Sequence, residues 1–182
     1  ELSATTVYTI PNAIDMAALD HAYEAAPRPM PGPYVLYAGK LAPNKGTSLL
    51  VPAVERAELD WPLVIAGDGP ERAGIEASAE RSRHDIRMLG WIDRDQTTAW
   101  MAHASMLIFP SRGPESLSRV LLEAAALGLP IAAMNTGGTP DIVIDGQTGL
   151  LSHSADDLSA DIRRLRADAD LRGHLGHGAM VH

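Results

Sequence analysis

The sequence predicts an α/β fold, a doubly wound parallel sheet, and three observations carry this prediction. Continuous apolar runs such as residues 34–38 and 106–109 are typical of strands that are buried on both faces of a sheet. Helical patterns of roughly ten to fifteen residues separate these runs. Glycine, proline and asparagine mark the boundaries between them. Strands that alternate with helices in this manner pair in parallel through right-handed crossovers.

The predicted units follow one another along the whole chain. A strand at residues 5–10, a weak helix at 15–25 and a proline-rich connector precede the first unit. The further strands are predicted at residues 34–38, 63–66, 87–89, 106–109, 131–134 and 150–151. The helices after them are predicted at residues 47–59, 70–83, 94–104, 116–127, a short one from 139, and 155–167. Residues 171–182 are predicted to form a frayed end.

Composition limits the functions that this chain can have. With 182 residues and 46% hydrophobic content, the chain is long enough to bury the core of one domain. A net charge of −8 argues against a nucleic-acid partner, because such surfaces depend on Lys and Arg. The lack of cysteine excludes thiol chemistry, and no apolar run reaches the roughly 18 residues that predict a membrane span. Because the chain begins at Glu1 rather than Met, we expect it to be part of a longer protein.

The loops after the strands hold the residues that carry chemistry. In a parallel sheet these loops all open at the carboxyl edge, where such folds bind ligands. Lys40 and Lys45, the only lysines, fall in one of them, and Glu115 falls in another. Cations and backbone N–H groups suit a diphosphate, whereas carboxylates accept hydrogen bonds from sugar hydroxyls. The combination predicts that the chain binds a nucleotide sugar.

Two glutamates flank the start of the helix predicted at residues 116–127. Glu115 stands at its mouth, and Glu123 lies eight positions later, about two turns down the helix. The free N–H groups of the first turn between them offer a site for an anion such as phosphate. A pair of carboxylates is also what a glycosidase needs, but a hydrolase has no use for the lysine loop.

Several short motifs follow one another at a characteristic spacing. They are Ile10-Pro11-Asn12-Ala13-Ile14-Asp15, Gly39-Lys40, Lys45-Gly46, Gly67-Asp68-Gly69-Pro70, Pro110-Ser111, Glu115, Leu122-Glu123-Ala124 with Gly128 and Pro130, Gly137-Gly138, and Asp145-Gly146 with Gly149. In this order they resemble the carboxyl-terminal, donor-binding domain of family 4 retaining glycosyltransferases of the GT-B fold. The resemblance implies a Rossmann-like sheet that forms one half of such an enzyme, and it covers almost the whole chain. An acceptor-binding amino-terminal domain and a helix that crosses back to it are then expected outside the chain.

The resemblance also implies roles for individual residues. Lys40 and Lys45 would neutralise the donor diphosphate, and Glu115 would hold hydroxyls of the transferred sugar. Glu123 would accept a hydrogen bond from the nucleotide ribose. Two further donor-binding residues are Gly39, in the diphosphate loop, and Gly67, in the Gly67-Asp68-Gly69-Pro70 turn. The backbone N–H groups of Leu117, Ser118 and Arg119 would contact phosphate and sugar. The main chain near the base would be that of Gly90, Trp91 and Ile92.

The expected chemistry needs neither a metal nor a cofactor. Two lysines in a partly dry crevice can stabilise the charge that grows on a departing nucleoside diphosphate. The expected partners are the nucleotide sugar, the missing amino-terminal domain and an acceptor, in the cytoplasm or at the cytosolic face of a membrane. The fragment alone is expected to bind donor with little or no transfer.

Some features have competing interpretations. Ser118 stands where the family usually has glycine, which leaves open a nucleotide-sugar binding or regulatory module that has lost transfer. Asp93 and Asp95 match a metal-binding Asp-x-Asp pattern, but Gln96 three residues after Asp93 favours a helix capping box. The histidines of the predicted frayed end have metal-ligand spacing, yet a solvated role is expected there; they are His174, His177 and His182.

Overall fold

The structure, a computed structural model, describes residues 14–17, 19, 23, 27–113 and 115–182, and a six-stranded parallel sheet lies at its centre. The spatial order of the strands is β3-β2-β1-β4-β5-β6, with every neighbouring pair parallel. This arrangement confirms the predicted α/β class. The strands are β1 (Val35–Ala38), β2 (Leu63–Ala66), β3 (Ile86–Gly90), β4 (Met106–Phe109), β5 (Ile131–Met134) and β6 (Leu150–Ser152).

Helices cover both faces of the sheet. Three short 3-10 turns accompany them, at Pro43–Lys45, Thr47–Leu49 and Thr139–Asp141. Within the described part of the chain, no helix is long and apolar enough to cross a membrane. The helices are α1 (Leu50–Arg56), α2 (Arg72–Arg81), α3 (Arg94–His103), α4 (Arg119–Ala126), α5 (Ala155–Ala167) and α6 (Ala169–Val181).

The central strands are buried on both faces, as their continuous apolar runs predict. All four residues of β1 are buried, and alternate side chains enter opposite halves of the core. Val35 and Tyr37 pack in the cluster that includes α1 and α5, whereas Leu36 and Ala38 pack in the cluster that includes α4. The sheet is therefore enclosed between two helical layers.

Two helix starts differ from the prediction. The helix predicted from residue 47 opens with the 3-10 turn Thr47–Leu49 before α1 begins. The helix predicted from residue 116 begins only at Arg119, because Ser118 is extended, with φ −75° and ψ 119°. Residues 115 and 116 are held by a neighbouring loop, where the Gly138 N–H donates to the Glu115 carbonyl at 2.8 Å. That contact keeps this stretch out of the helix.

The prediction of a frayed carboxyl end was wrong, because residues 169–181 form helix α6. Its side chain Leu175 is fully buried, and its glycines allow close backbone contact. A Cβ on Gly176 would lie 2.2 Å from the Gly128 carbonyl oxygen, and one on Gly178 would lie 2.0 Å from that of Gln147. Glycines that lower helix propensity in the sequence are thus what let this helix dock.

The amino-terminal predictions lie largely outside the described residues. These are the strand at residues 5–10, most of the helix at 15–25, and most of the motif at residues 10–15.

Replacing Gly176 by Ala should destabilise the protein, whereas Gly173→Ala should stabilise it. Both glycines lie in α6, but a Cβ on Gly173 meets nothing within 4 Å. Because alanine loses less backbone entropy than glycine when the helix forms, Gly173→Ala should raise the free energy of unfolding by roughly 0.5–1 kcal/mol. At Gly176 the clash with a backbone oxygen should outweigh that gain and cost about 1–3 kcal/mol. Urea unfolding of the two variants measures the difference, and equal stabilisation by both would contradict the docked position of α6.

Candidate functional site

Several of the candidate site residues lie where the strand order reverses. The chain builds β2 and β3 on one side of β1, and β4, β5 and β6 on the other. The loops that follow the adjacent strands β1 and β4 therefore emerge side by side at the carboxyl edge. Open α/β sheets bind their ligands at such a switch point.

One backbone carbonyl joins these two loops. The Asn44 oxygen, in the loop after β1, accepts hydrogen bonds from the Arg112 N–H at 3.0 Å and the Gly113 N–H at 2.7 Å, and the Ser111 hydroxyl oxygen lies 3.1 Å from it. Gly46 has the left-handed φ of 62°, and a Cβ there would lie 1.9 Å from the Pro110 oxygen. The close approach of the two loops accordingly requires glycine at this position.

The junction brings Lys45 and Glu115 into direct contact, although 70 positions separate them in the chain. Lys45 Nζ donates to Glu115 Oε1 at 2.6 Å, and the buried Ser111 hydroxyl donates to the same oxygen at 2.5 Å. The side chain of Glu115 is 9% exposed and that of Lys45 is 30% exposed. Among the described residues nothing bonds to Glu115 Oε2, and the Lys45 ammonium has further N–H groups to donate.

A third loop, which follows β5, supports the position of Glu115. Besides the Gly138 bond to the Glu115 backbone, the Thr136 hydroxyl donates to the Gly113 carbonyl at 3.0 Å. Gly137 has a φ of 51°, and a Cβ there would lie 2.3 Å from the Glu115 carbonyl oxygen. The paired glycines of the sequence motif therefore leave room for the backbone that carries the carboxylate.

A cleft of about 500 Å³ opens at the same edge, above the ends of β1, β2 and β3. Five of the residues predicted to bind donor line it: Gly39, Lys40, Gly67, Trp91 and Ile92. The cleft is also lined by Ala38, Ala66, Asp68, Thr97 and Val120. Lys45 and Glu115 do not line this cleft, and they form a separate polar cluster at the loops after β1 and β4. Gly90 is buried, and its carbonyl accepts from the Gly67 N–H at 2.7 Å.

Tyr37 holds the start of the loop after β1 in place. Burial, with smaller effects from the charges of Glu115 and Glu71, raises the pKa of the Tyr37 phenol above its ordinary value. The hydroxyl therefore stays protonated and donates to the Lys40 carbonyl at 2.9 Å. This bond orients the loop that carries the exposed Lys40 side chain.

Glu123 lies on α4 and is neutralised by two arginines. Arg119 and Arg94 approach the same atom, Glu123 Oε1, at 3.3 Å and 3.8 Å. The Glu123 side chain is only 11% exposed, and a carboxylate that is so buried needs a cationic partner. Glu115 and Glu123 thus have different partners. This gives no support to the glycosidase interpretation, in which the two carboxylates act on one bond as acid and nucleophile.

The segment before α4 has a backbone that any residue can adopt. Ser118 occupies the N-cap position with a φ of −75°, and its side chain makes no capping hydrogen bond. Glycine is therefore not required there for conformational reasons. That Leu117, Ser118 and Arg119 contact phosphate and sugar through their N–H groups stays a prediction.

The alternative metal interpretations find structural explanations. Asp93 Oδ1 accepts from the Gln96 N–H at 2.8 Å, and the Gln96 side chain accepts from the Asp93 N–H at 3.2 Å, which confirms the capping box. Among the described residues, no three His, Asp or Glu side chains are grouped to hold a metal ion. The three terminal histidines are exposed, but two of them lie on helix α6 rather than in a frayed tail.

Sequence reasoning did not assign roles to Asn44, Ser111 and Arg94. Ser111 belongs to the Pro110-Ser111 motif, and that position was the signal that could have singled out its contact with Glu115. Asn44 acts through its backbone carbonyl, which no side-chain pattern reveals. Arg94 reaches Glu123 from a different helix, and only the tertiary structure shows that approach.

Comparison with known proteins identifies the family. A family model described as glycosyl transferases group 1 matches residues 32–168. This chain belongs to that family. It is 34% identical over 164 residues to the D-inositol 3-phosphate glycosyltransferase of Streptomyces bingchenggensis, a match that covers 81% of this chain and 36% of that enzyme. The group 1 chain therefore spans well under half of this relative.

Solved structures share the fold. Anabaena HepE in complex with UDP matches with a TM-score of 0.75 at 23% identity, over 81% of this chain and 43% of HepE. The C-terminal domain of the group 1 protein LpcC from Francisella tularensis matches with a TM-score of 0.77 at 18% identity, over 93% of this chain and 95% of that domain. The architecture is therefore that of the C-terminal half of a GT-B glycosyltransferase.

Replacing Gly137 by Ala should destabilise the protein more than Gly146→Ala does. Both glycines have a positive φ, of 51° and 71°, so each substitution carries about 1–2 kcal/mol of backbone strain. Only at Gly137 does the new Cβ also meet the backbone of Glu115, and the clash should add about 1–3 kcal/mol. Urea unfolding compares the two, and equal losses would show that the loop after β5 does not support Glu115.

Proposed function

We propose that this chain is the donor-binding half of a glycosyltransferase that moves a sugar from a nucleoside diphosphate to an acceptor hydroxyl. The observation that carries the proposal is the contact of Lys45 and Ser111 with Glu115 at the switch point, beside a cleft that Lys40 lines. A cation and a carboxylate held together at one edge match the two ends of a sugar diphosphate. Membership of the group 1 family supports the same assignment.

Glu115 is suited to hold the transferred sugar. Its Oε1 is already occupied by Lys45 and Ser111, which fix the carboxylate plane, while Oε2 is left to accept a sugar hydroxyl. An ionised carboxylate only accepts hydrogen bonds, and its bonds to hydroxyl donors are charge-assisted. The carboxylate therefore orients the sugar without any rearrangement of its own partners.

Lys45 and Lys40 are suited to stabilise the leaving diphosphate. Glu115 offsets part of the Lys45 charge, but the remaining Lys45 N–H groups can donate to phosphate oxygens. Lys40 adds a second cation from the same loop, at the edge of the cleft. Donors that are positioned before reaction stabilise developing charge at little reorganisation cost. We propose on this basis a transfer that requires no metal and, from the family resemblance, proceeds with retention.

The rest of the reaction belongs to protein outside this chain. We propose, from the family resemblance, that the acceptor site lies in an amino-terminal domain of a longer protein, and the span of 36% of the Streptomyces relative supports this. The chain alone should bind the donor with little or no transfer. We favour uridine diphosphate as the nucleotide, because the structural relative HepE is seen in complex with UDP. An active enzyme is favoured over a module that has lost transfer, since the Streptomyces relative is named as a glycosyltransferase.

Replacing Lys45 by Ala should weaken UDP binding by about 1.5–3 kcal/mol, the contribution of a hydrogen bond to a charged group. Isothermal titration calorimetry of the 182-residue chain with UDP, GDP and ADP measures the affinity and identifies the base. Arg83→Ala is the matched control, because it removes an exposed cation before β3, at the opposite edge of the sheet. If wild type binds no nucleotide at millimolar concentration, or if both variants bind equally, the proposed donor site is wrong.

A further inference from the structure

Glu71 contacts the loop after β1, which carries both lysines of the chain, at two points. Its N–H donates to the Leu41 carbonyl at 3.0 Å, and Leu41 directly follows Lys40. Its carboxylate accepts a hydrogen bond from the hydroxyl of Thr47, two residues after Lys45. One residue therefore fastens the loop just beyond each lysine.

The carboxylate of Glu71 does not serve the helix on which it stands. Glu71 occupies the N-cap position of α2, but its side chain makes no capping hydrogen bond there. Short side chains such as those of serine and aspartate are preferred at that position, because their oxygen reaches the free N–H groups of the first turn. The longer side chain of Glu71 reaches the neighbouring loop instead. Its contact with that loop is therefore not explained by helix capping.

The contact between Glu71 and Thr47 is strong and sheltered. Thr47 is 1% exposed, so its hydroxyl needs a partner within the protein. A hydroxyl that donates to an ionised carboxylate forms a charge-assisted hydrogen bond, roughly twice as strong as a neutral one. The two residues are 24 positions apart and stand at different helical segments, the 3-10 turn before α1 and the start of α2. The bond thus ties the loop after β1 to the loop after β2.

The loop needs such an anchor because Gly46 lies between Lys45 and Thr47. Gly46 has the left-handed φ of 62° and separates the two 3-10 turns of the loop. Glycine restricts the backbone least of all residues, so the two turns could pivot about this position. Glu71 holds the second turn through Thr47. Glu115 holds the first through Lys45, but a phosphate that binds Lys45 competes with this contact. The bond to Glu71 does not involve a lysine, so it keeps the loop in place when the ligand binds.

We propose that Glu71 is a positioning residue for the donor diphosphate, because it holds the loop of Lys40 and Lys45 in the conformation that receives phosphate. This inference rests on the proposed function, and it adds a residue that lies outside the motifs of the sequence. Glu71 acts through the lysines and does not touch the ligand. Cations that are positioned in advance bind charge at little reorganisation cost. Loss of the anchor should therefore weaken the binding of the phosphate groups more than that of the nucleoside.

Titration of the 182-residue chain with UDP and with UMP, followed through the backbone amide signals, tests this inference. Glu71→Ala should lower the affinity for UDP roughly 2- to 12-fold, the factor for ordering one long side chain on binding. The affinity for UMP should fall less, because UMP lacks the second phosphate. Glu71→Gln keeps an oxygen that can accept from Thr47 and should restore most of the affinity. As the control, Glu80→Ala removes an exposed carboxylate from the other end of α2 and should change neither affinity.

The outcomes separate this inference from the proposed function. If Glu71→Ala binds UDP as tightly as wild type while Lys45→Ala binds it weakly, the positioning role is overturned and the donor site stands. Equal losses of affinity for UDP and UMP would also overturn it, because a general disturbance of the fold weakens both alike. If wild type binds no nucleotide, the proposed function and this inference fail together. Thr47→Val removes the hydroxyl with little change of shape and should reproduce the loss, so the test stands even if thermal unfolding shows Glu71→Ala to be unfolded.

Discussion

The Asn44 carbonyl is the contact on which the arrangement of the site depends. It belongs to the loop after β1, and it accepts hydrogen bonds from two backbone N–H groups of the loop after β4. Parallel pairing of β1 with β4 brings the two loops to the same edge, but the carbonyl sets their distance. Because two N–H groups of one loop donate to a single oxygen of the other, this contact ties the two backbones together.

The geometry of the charged groups follows from that junction. Lys45 is the residue after Asn44, and Ser111 lies four positions before Glu115. Joining the loops therefore places a cation and a hydroxyl on one carboxylate oxygen, at 2.6 Å and 2.5 Å. An ion pair with a carboxylate exposed by only 9% contributes little net stability, because desolvation offsets the attraction. An ion pair at a switch point that adds little to stability is consistent with the proposed role in ligand binding.

How much of this could be predicted from the sequence varies from element to element. The runs at Val35–Ala38 and Met106–Phe109 are apolar on both faces, so period and length were enough to predict the buried parallel strands. Lys45 and Glu115 could be named as candidate site residues through their motifs and their place in loops. The direct contact between Lys45 and Glu115 could not be predicted, because it depends on the order of the strands in the sheet, which local sequence patterns do not specify.

The wrong predictions, of a frayed carboxyl end and of the start of α4, have physical causes of the same kind. Helix α6 contains Gly173, Gly176 and Gly178, and local propensity cannot distinguish a glycine that frays a helix from one that allows close packing. The late start of α4 comes from the Gly138 bond to Glu115, a contact between segments that are far apart in the chain. In both cases a tertiary contact overrides the local preference.

The central claim is that the cleft and the Lys45–Glu115 cluster bind one ligand. Its most direct test is a titration of the ¹⁵N-labelled chain with UDP-glucose, followed through the backbone amide signals. We expect changes in the amide chemical shifts both at the cleft, in Gly39, Gly67 and Ile92, and at Glu115. A second cavity of about 340 Å³ lies between α1 and α2, lined by residues that include Thr47, Gly74 and Ser78. Shifts confined to that cavity, with none at the switch point, would contradict the account.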